Sequence, residues 1–317
     1  MRTIFLDYDG VSNGDLDPSP ITRITGEVRF YAQTADSQIA ERIADAEVVL
    51  TNNVKLAREC LEAARALKLI ALAATGTDNV DLVAARALGI AVCNVRGYCT
   101  ASVVQHAWAM ILCLNQHLGA YARLVADGTW AKNAEYAVLA YPIRELAGQT
   151  LGIIGWGALG RGVAKLGEAF GMRVIIADRP GAAPDPKRVP LEELLRTADI
   201  VSLHCPLTEA TRGIIGAHEL DLMKPDALLI NTARGALVDG RALAAALATR
   251  RLGGAGIDVL AQEPPIDGDP LLDPAIPNLI VTPHIAWAAR GARQRCLDEM
   301  AANIEDFLRG GRRGRVV

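Results

Sequence analysis

The stretch TLGIIGWGALGRGVAKLGEAFG, Thr150 to Gly171, passes from an apolar run, through glycines at 155, 157 and 160, into a helical pattern. A strand that turns this sharply into a helix needs glycine at defined places. Gly155 permits the tight turn, Gly157 lets the backbone approach a ligand without a side chain intervening, and Gly160 allows the helix to pack closely on the strand. Ala158 and Leu159 open the helix, whose first N–H groups face outward and attract phosphate. In a chain with 29 glycines the spacing alone is weak, and the strand–turn–helix context is what makes it a pyrophosphate-binding turn. The next apolar run, RVIIAD, ends at Asp178, 18 residues after Gly160. A carboxylate there accepts hydrogen bonds from ribose hydroxyls and repels a 2′-phosphate, which favours NAD; Arg179 beside it keeps NADP possible. Methyltransferases also combine a glycine-rich turn with an acidic strand end, so a second set of residues must define the chemistry.

Similar strand-like runs occur along the whole chain: 3–7, 27–31, 47–51, 69–74 and 90–94, then 150–155, 173–178, 199–204, 227–232, 254–259 and 279–284. Many are continuously apolar, as parallel strands covered on both faces require, and helical stretches alternate with them. The fold class expected is therefore α/β, with doubly wound parallel sheets. A long apolar helix over 100–125 separates the two series and reads as a domain connector with a dimer face. The last helical stretch, from about Ala288 to Leu308, is placed to return to the first domain. The domains expected are residues 1–97 completed by 288–317, and residues 98–287. GAAPDPKRVP, 181–190, reads as a proline-rich loop, and the basic terminus RGGRRGRVV as a solvated tail.

With 317 residues, 51% of them hydrophobic, and a formal net charge of −3, the chain is globular and offers nothing to nucleic acid. Six cysteines without a CxxC pair read as reduced thiols, with neither disulfides nor a metal site. There is no apolar run of the ~18 residues a membrane span needs, and MRTIFLDYDG begins as a strand rather than a leader. A cytoplasmic protein with no membrane partner is the expectation.

In parallel sheets ligands sit outside the carboxyl ends of the strands. The later strand ends read INTARG, GIDVLAQEP and VTPHIAW, offering Arg234, Asp258, Glu263 and His284. Each has an ordinary structural explanation when taken alone. As a set beside a dinucleotide turn they match the reduction of a 2-keto acid, which needs a hydride at C2 and a proton at the carbonyl oxygen. An arginine grips the carboxylate through its planar fork and polarises the carbonyl. A histidine donates the proton, and a neighbouring carboxylate stabilises imidazolium and orients the ring. His106 and His117 on the long helix, His218 and His204 are read as structural or, for His204, cofactor-adjacent.

Taken together, GxGxxG with its acidic strand end, HCPLT (204–208), NTARG (231–235), GIDVLAQEP (256–264) and TPHIAW (282–287) give the chain its likeness. It resembles the D-isomer-specific 2-hydroxyacid dehydrogenases over nearly its whole length. The resemblance implies two Rossmann-like domains around a cleft, an NAD(P) cofactor, a small 2-keto or 2-hydroxy acid substrate, and a homodimer formed through the 100–125 region. It assigns Arg234, Glu263 and His284 as the catalytic residues, and Asp258 as the acid near the nicotinamide carboxamide. Thr100, Cys205, Pro206, Thr232 and Ala233 line the cofactor by the same resemblance. Asn52, Thr75 and Gly76 meet the substrate together with Arg234 and His284. LTNNV, ATGTDNVD, NVRGYCTASVVQH and YPIRELAGQTLGI are similar to the glycerate dehydrogenase or hydroxypyruvate reductase branch, with Asn53 in place of a lysine and Gln105 in place of a glutamate. A lactate or phosphoglycerate dehydrogenase, and a dinucleotide-sensing binding protein on the same fold, are the alternatives.

Overall fold

A computed structural model describes residues 1–317 apart from Ala182 and Pro184, so the proline-rich loop at 181–190 lies partly outside the described residues. The first series of elements runs β1 (Thr3–Phe5), α1 (Ser19–Thr25), β2 (Val28–Phe30), α2 (Asp36–Ile43), β3 (Val48–Thr51), α3 (Arg58–Ala63), β4 (Leu69–Leu72), α4 (Leu82–Ala87) and β5 (Ala91–Cys93). Two helices come next, α5 (Thr100–Asn115) and α6 (Leu118–Ala126). The second series is β6 (Thr150–Ile154), α7 (Ala158–Ala169), β7 (Arg173–Ile176), α8 (Leu191–Thr197), β8 (Ile200–Leu203), α9 (Ala217–Leu222) and β9 (Leu228–Asn231). It ends with α10 (Gly240–Ala248), β10 (Gly254–Ile257), β11 (Leu279–Val281) and α11 (Arg290–Leu308).

The chain divides into two compact units, Met1–Cys99 with Trp287–Val317, and Thr100–Ala286. The first contains a parallel sheet of order β2-β1-β3-β4-β5. Its central strands are buried along their whole length, because helices cover both faces and leave no water-facing side for polar residues. One face packs against α11 through Cys296, Leu297, Met300 and Ile304, which explains why the C-terminal helix returns to this unit. The other face is closed by Ile39, Ile43, Leu61 and Ala84 from α2, α3 and α4.

The second unit is built on a parallel sheet of order β11-β10-β9-β8-β6-β7. Helix α5 lies across it, burying Val103, Val104, Ala107, Trp108, Met110, Ile111 and Leu114, one apolar stripe at helical spacing. Glycines bring it close: a Cβ at Gly256 of β10 would stand 2.9 Å from Met110 Cβ, and one at Gly162 of α7 only 2.6 Å from Val104 Cγ2.

Three sequence expectations need correction. The helix expected over 100–125 is interrupted, because His117 takes a left-handed conformation (φ 49°, ψ 35°) and starts a separate helix. The side chains of Asn115 and Gln116 turn back to the Arg144 carbonyl, which favours the break. The run 279–284 is a strand only to Val281; Pro283 has no N–H to continue the ladder, and His284 is left-handed with φ 54°. The basic terminus is not simply a solvated tail, since Arg315 bridges Cys93 and the Val316 N–H donates to the Val92 carbonyl at 2.7 Å. No helix among the described residues is long and apolar enough to cross a membrane.

Candidate active site

The turn after β6 has the geometry its glycines demand. Gly155 has φ 105°, and a Cβ there would lie 2.4 Å from the Cys205 nitrogen, so the turns after β6 and β8 touch main chain to main chain. A Cβ at Gly160 would meet the Gly155 carbonyl oxygen at 2.1 Å. At Gly157 nothing lies within 4 Å of the added atom. The protein itself does not need glycine at 157; a ligand approaching the backbone would. Helix α7 starts from Gly157 without a side-chain cap, leaving its first N–H groups to an anion such as a pyrophosphate. Asp178 lies just past β7, half-buried, with its N–H on the Val189 carbonyl. In the loop after β9, the buried Thr232 hydroxyl has no hydrogen-bond partner among the described residues, and Ala233 is anchored by its N–H to Asn231 Oδ1 at 3.0 Å. Cys205 and Pro206 leave β8, and Thr100 opens α5. An uncapped helix start, an open face at Gly157 and an unsatisfied hydroxyl fit a dinucleotide.

Three neighbouring strand ends carry Arg234, Glu263 and His284. Arg234 lies beyond β9, where its Nη1 donates to the Ala233 carbonyl at 2.8 Å. A Cβ on Gly235 would lie 2.0 Å from the Leu260 carbonyl carbon, so this loop and the one after β10 are in main-chain contact. Glu263 lies in that second loop, its Oε1 accepting the Leu260 N–H at 2.8 Å and its Oε2 standing 2.7 Å from His284 Nδ1. Burial pushes the Glu263 carboxyl up, but the His284 hydrogen bond and charge, the Leu260 N–H and the Arg234 guanidinium outweigh it and hold the group below the ordinary carboxylate value. An ionised Glu263 only accepts, so the proton of the shared bond resides on Nδ1. Arg234, Glu263 and His284, though far apart in sequence, thus share one neighbourhood.

Asp258 occupies a different position from the other three. It is 1% exposed, with Oδ1 accepting the Ile285 N–H and the Thr282 hydroxyl and Oδ2 accepting the Ala286 N–H. Its carbonyl accepts the His284 N–H at 2.8 Å. This carboxylate therefore organises the turn that presents His284. Sequence reasoning did not find the side chains that grip the same turn from α5: Ser102 donates to the Ala286 carbonyl at 2.6 Å, and His106 Nε2 lies 3.0 Å from Thr282 Oγ1. A spacing of four residues between two polar groups on an otherwise apolar helix face was the available signal.

Asn52, Thr75 and Gly76 belong to the first unit. The Asn52 and Asn53 N–H groups donate to the two oxygens of Asp7, at 2.9 and 2.7 Å. The Thr75 hydroxyl donates to the Val95 carbonyl, and the Thr75 carbonyl accepts from Asn94. Trp287 packs edge-on against Tyr98 in the core of this same unit. His204 is buried, bonded through Nε2 to Ser202, and burial pushes its imidazole down to about 4.

A pyrophosphate-type turn and a carboxylate-oriented histidine at the ends of one parallel sheet define a nicotinamide-dependent oxidoreductase. Residues 108–286 match the family described as D-isomer specific 2-hydroxyacid dehydrogenase, NAD binding domain. A glycerate dehydrogenase of Methylorubrum extorquens is 46% identical over 90% of this chain and 90% of its own. A hydroxypyruvate reductase of Blautia hydrogenotrophica is 36% identical over 98% of each chain. Among solved structures, the TT0316 protein of Thermus thermophilus superimposes with a TM-score of 0.88, at 34% identity and with both chains covered completely. The chain belongs to the D-isomer-specific 2-hydroxyacid dehydrogenase family, and it is an NAD(P)-dependent dehydrogenase.

Proposed function

We propose that the protein reduces hydroxypyruvate and glyoxylate, equivalently that it is a D-glycerate dehydrogenase. The observation carrying this reading is the 2.7 Å contact between His284 and Glu263, with the Arg234 charge acting on the same carboxylate. The names of the relatives support the choice of acid. NAD(P)H, when bound, supplies the hydride to C2 of the keto acid. The pyrophosphate would rest on the N–H groups after Gly157, with Ala158, Leu159, Cys205, Pro206, Thr232, Ala233 and Thr100 around the cofactor. Asp178 favours NAD, although Arg179 beside it leaves NADP accessible.

Arg234 pairs with the substrate carboxylate and stabilises negative charge growing on the carbonyl oxygen. His284 delivers the proton from Nε2 to that oxygen, while Glu263 on Nδ1 holds the ring and balances the imidazolium. In the oxidative direction neutral His284 removes the hydroxyl proton. Asn52, Thr75 and Gly76 contribute substrate contacts, which makes the first unit the substrate domain and Thr100–Ala286 the cofactor domain. A homodimer is the assembly we infer, supported by exposed apolar side chains at Leu118, Val125, Trp130, Tyr136, Leu139 and Ile143. We place the protein in the cytoplasm on the strength of its six free cysteines.

The test follows NADH and NADPH absorbance with hydroxypyruvate, glyoxylate, pyruvate and 3-phosphohydroxypyruvate. The first two acids should give the highest kcat/KM. Preference for either of the others would reassign the substrate, and NADH binding without turnover of any acid would point to a dinucleotide sensor.

A further inference from the structure

His106 lies on α5, 176 residues from its contact on the turn before His284. The donor inventory fixes its tautomer. Asp258 already accepts the Ile285 N–H on Oδ1 and the Ala286 N–H on Oδ2, and the Thr282 hydroxyl gives its one proton to Oδ1 at 2.5 Å. Thr282 Oγ1 can then only accept at the 3.0 Å contact with His106, so His106 carries a proton on Nε2. The same nitrogen stands 3.6 Å from Asp258 Oδ1. Ser102, one helical turn earlier on the same face, donates to the Ala286 carbonyl at 2.6 Å. The turn from Thr282 to Ala286 is thus gripped at both ends by α5 and at its centre by Asp258.

That grip has a task. His284 is in the left-handed region (φ 54°), which is unfavourable for a residue other than glycine and persists only when its surroundings enforce it. Its N–H is shared between the carbonyls of Asp258 and Thr282, at 2.8 and 3.0 Å. Relaxation of this turn toward an ordinary conformation would swing the imidazole away from Glu263.

We propose that His106, acting through Thr282 and Asp258 and seconded by Ser102, is the positioning residue that keeps the left-handed turn at His284 closed and so aims the imidazole at the reacting carbonyl. The inference rests on His284 being the acid–base group.

The experiment compares wild type, His106→Leu, His106→Gln, Thr282→Val and the double variant His106→Leu/Thr282→Val in the full-length protein. Hydroxypyruvate reduction, NADH affinity and hydrogen exchange of the 279–288 segment are measured. His106→Leu is expected to lower kcat about tenfold, with KM and NADH affinity within about twofold of wild type, because small misplacements of a catalytic group act on the chemical step. Exchange at Ile285 and Ala286 should quicken. His106→Gln, whose amide N–H can reach the same hydroxyl, should recover most of both losses. The double variant should be no worse than Thr282→Val, since both changes cut one chain of contacts. Unchanged kcat and exchange in His106→Leu, a Gln variant no better than Leu, or additive losses would each overturn the proposal. If wild type turns over none of the acids, the assigned reaction falls, and the exchange rates of the same variants still decide whether His106 holds the turn.

Discussion

The two sheets have the same winding. Reading outward, β2-β1-β3-β4-β5 and β7-β6-β8-β9-β10-β11 both reverse direction beside their first strand. In such sheets a crevice opens at that reversal and receives ligands. The two crevices differ in the residues just beyond the first strand. After β6 come Gly155 and Gly157, an uncapped helix start and no acidic side chain. After β1 comes Asp7, whose carboxylate enters the crevice and accepts the N–H groups of Asn52 and Asn53 after β3. One strand exit leaves helix N–H groups without a side-chain cap, and the other carries its own carboxylate. Topology creates the opening, but the side chains at the strand exit decide whether a dinucleotide or a carboxylate occupies it.

The largest effect should come from the strand ends of the second sheet, where the proposed acid–base group lies. His284→Ala is expected to lower kcat by about two to four orders of magnitude, the usual scale for loss of an acid–base group, with NADH binding retained. Wild-type-like turnover would remove His284 from the reaction. The glycine turn offers a sharper contrast. In Gly155→Ala the new Cβ would lie 2.4 Å from the Cys205 nitrogen at a positive φ, so unfolding free energy should fall by about 2–5 kcal/mol. Gly157→Ala meets nothing within 4 Å and should change stability by less than about 0.5 kcal/mol while weakening NADH. Equal stability losses in the two variants would refute the idea that 155 serves the fold and 157 the ligand.

His204, beside the second crevice, gives that sheet a pH response that Asn52 beside the first does not have. Its imidazole is held at about 4 by burial, against 6.5 when exposed. Protonation therefore favours the unfolded chain: the stabilisation is complete above pH 6.5 and is lost as pH falls toward 4. The unfolding free energy from denaturant titrations should fall across that window by an amount on the order of 3 kcal/mol, and His204→Gln should flatten the slope. An identical slope in the variant would assign the acid lability elsewhere.

How legible these features were depended on how locally they are encoded. The turn at 155–160 needs only glycine and its neighbours, so its pattern could be read along the chain. The positions of Arg234, Glu263 and His284 came from a rule about strand ends, because parallel winding puts every such end on one edge. The left-handed conformation at His284 could not be read, since nothing in TPHIAW announces it; the enforcing groups are Asp258, Ser102 and His106. Nor could the break at His117, because Asn115 and Gln116 close it on Arg144, well outside the helix. Burial hides such partners from any reading that proceeds by neighbours in sequence.

The smallest expected effect tests the first crevice. Asp7→Ala leaves the Asn52 and Asn53 N–H groups without their acceptor, but the site is partly exposed and water can replace the carboxylate. A loss of about 1–2 kcal/mol is expected, toward the low end for hydrogen bonds to a charged group. Asp7→Asn keeps one acceptor oxygen while turning its NH2 toward the other N–H, so it should recover less than half of that loss. Because the loop at 52–53 belongs to the proposed substrate side, KM for the keto acid should rise severalfold in Asp7→Ala while the NADH dissociation constant stays the same. A variant that instead bound NADH or a free pyrophosphate more weakly would mean that the two crevices are not divided between an internal carboxylate and an external anion. Unchanged KM together with unchanged stability would leave the Asp7 bonds without the role that the contrast between the sheets gives them.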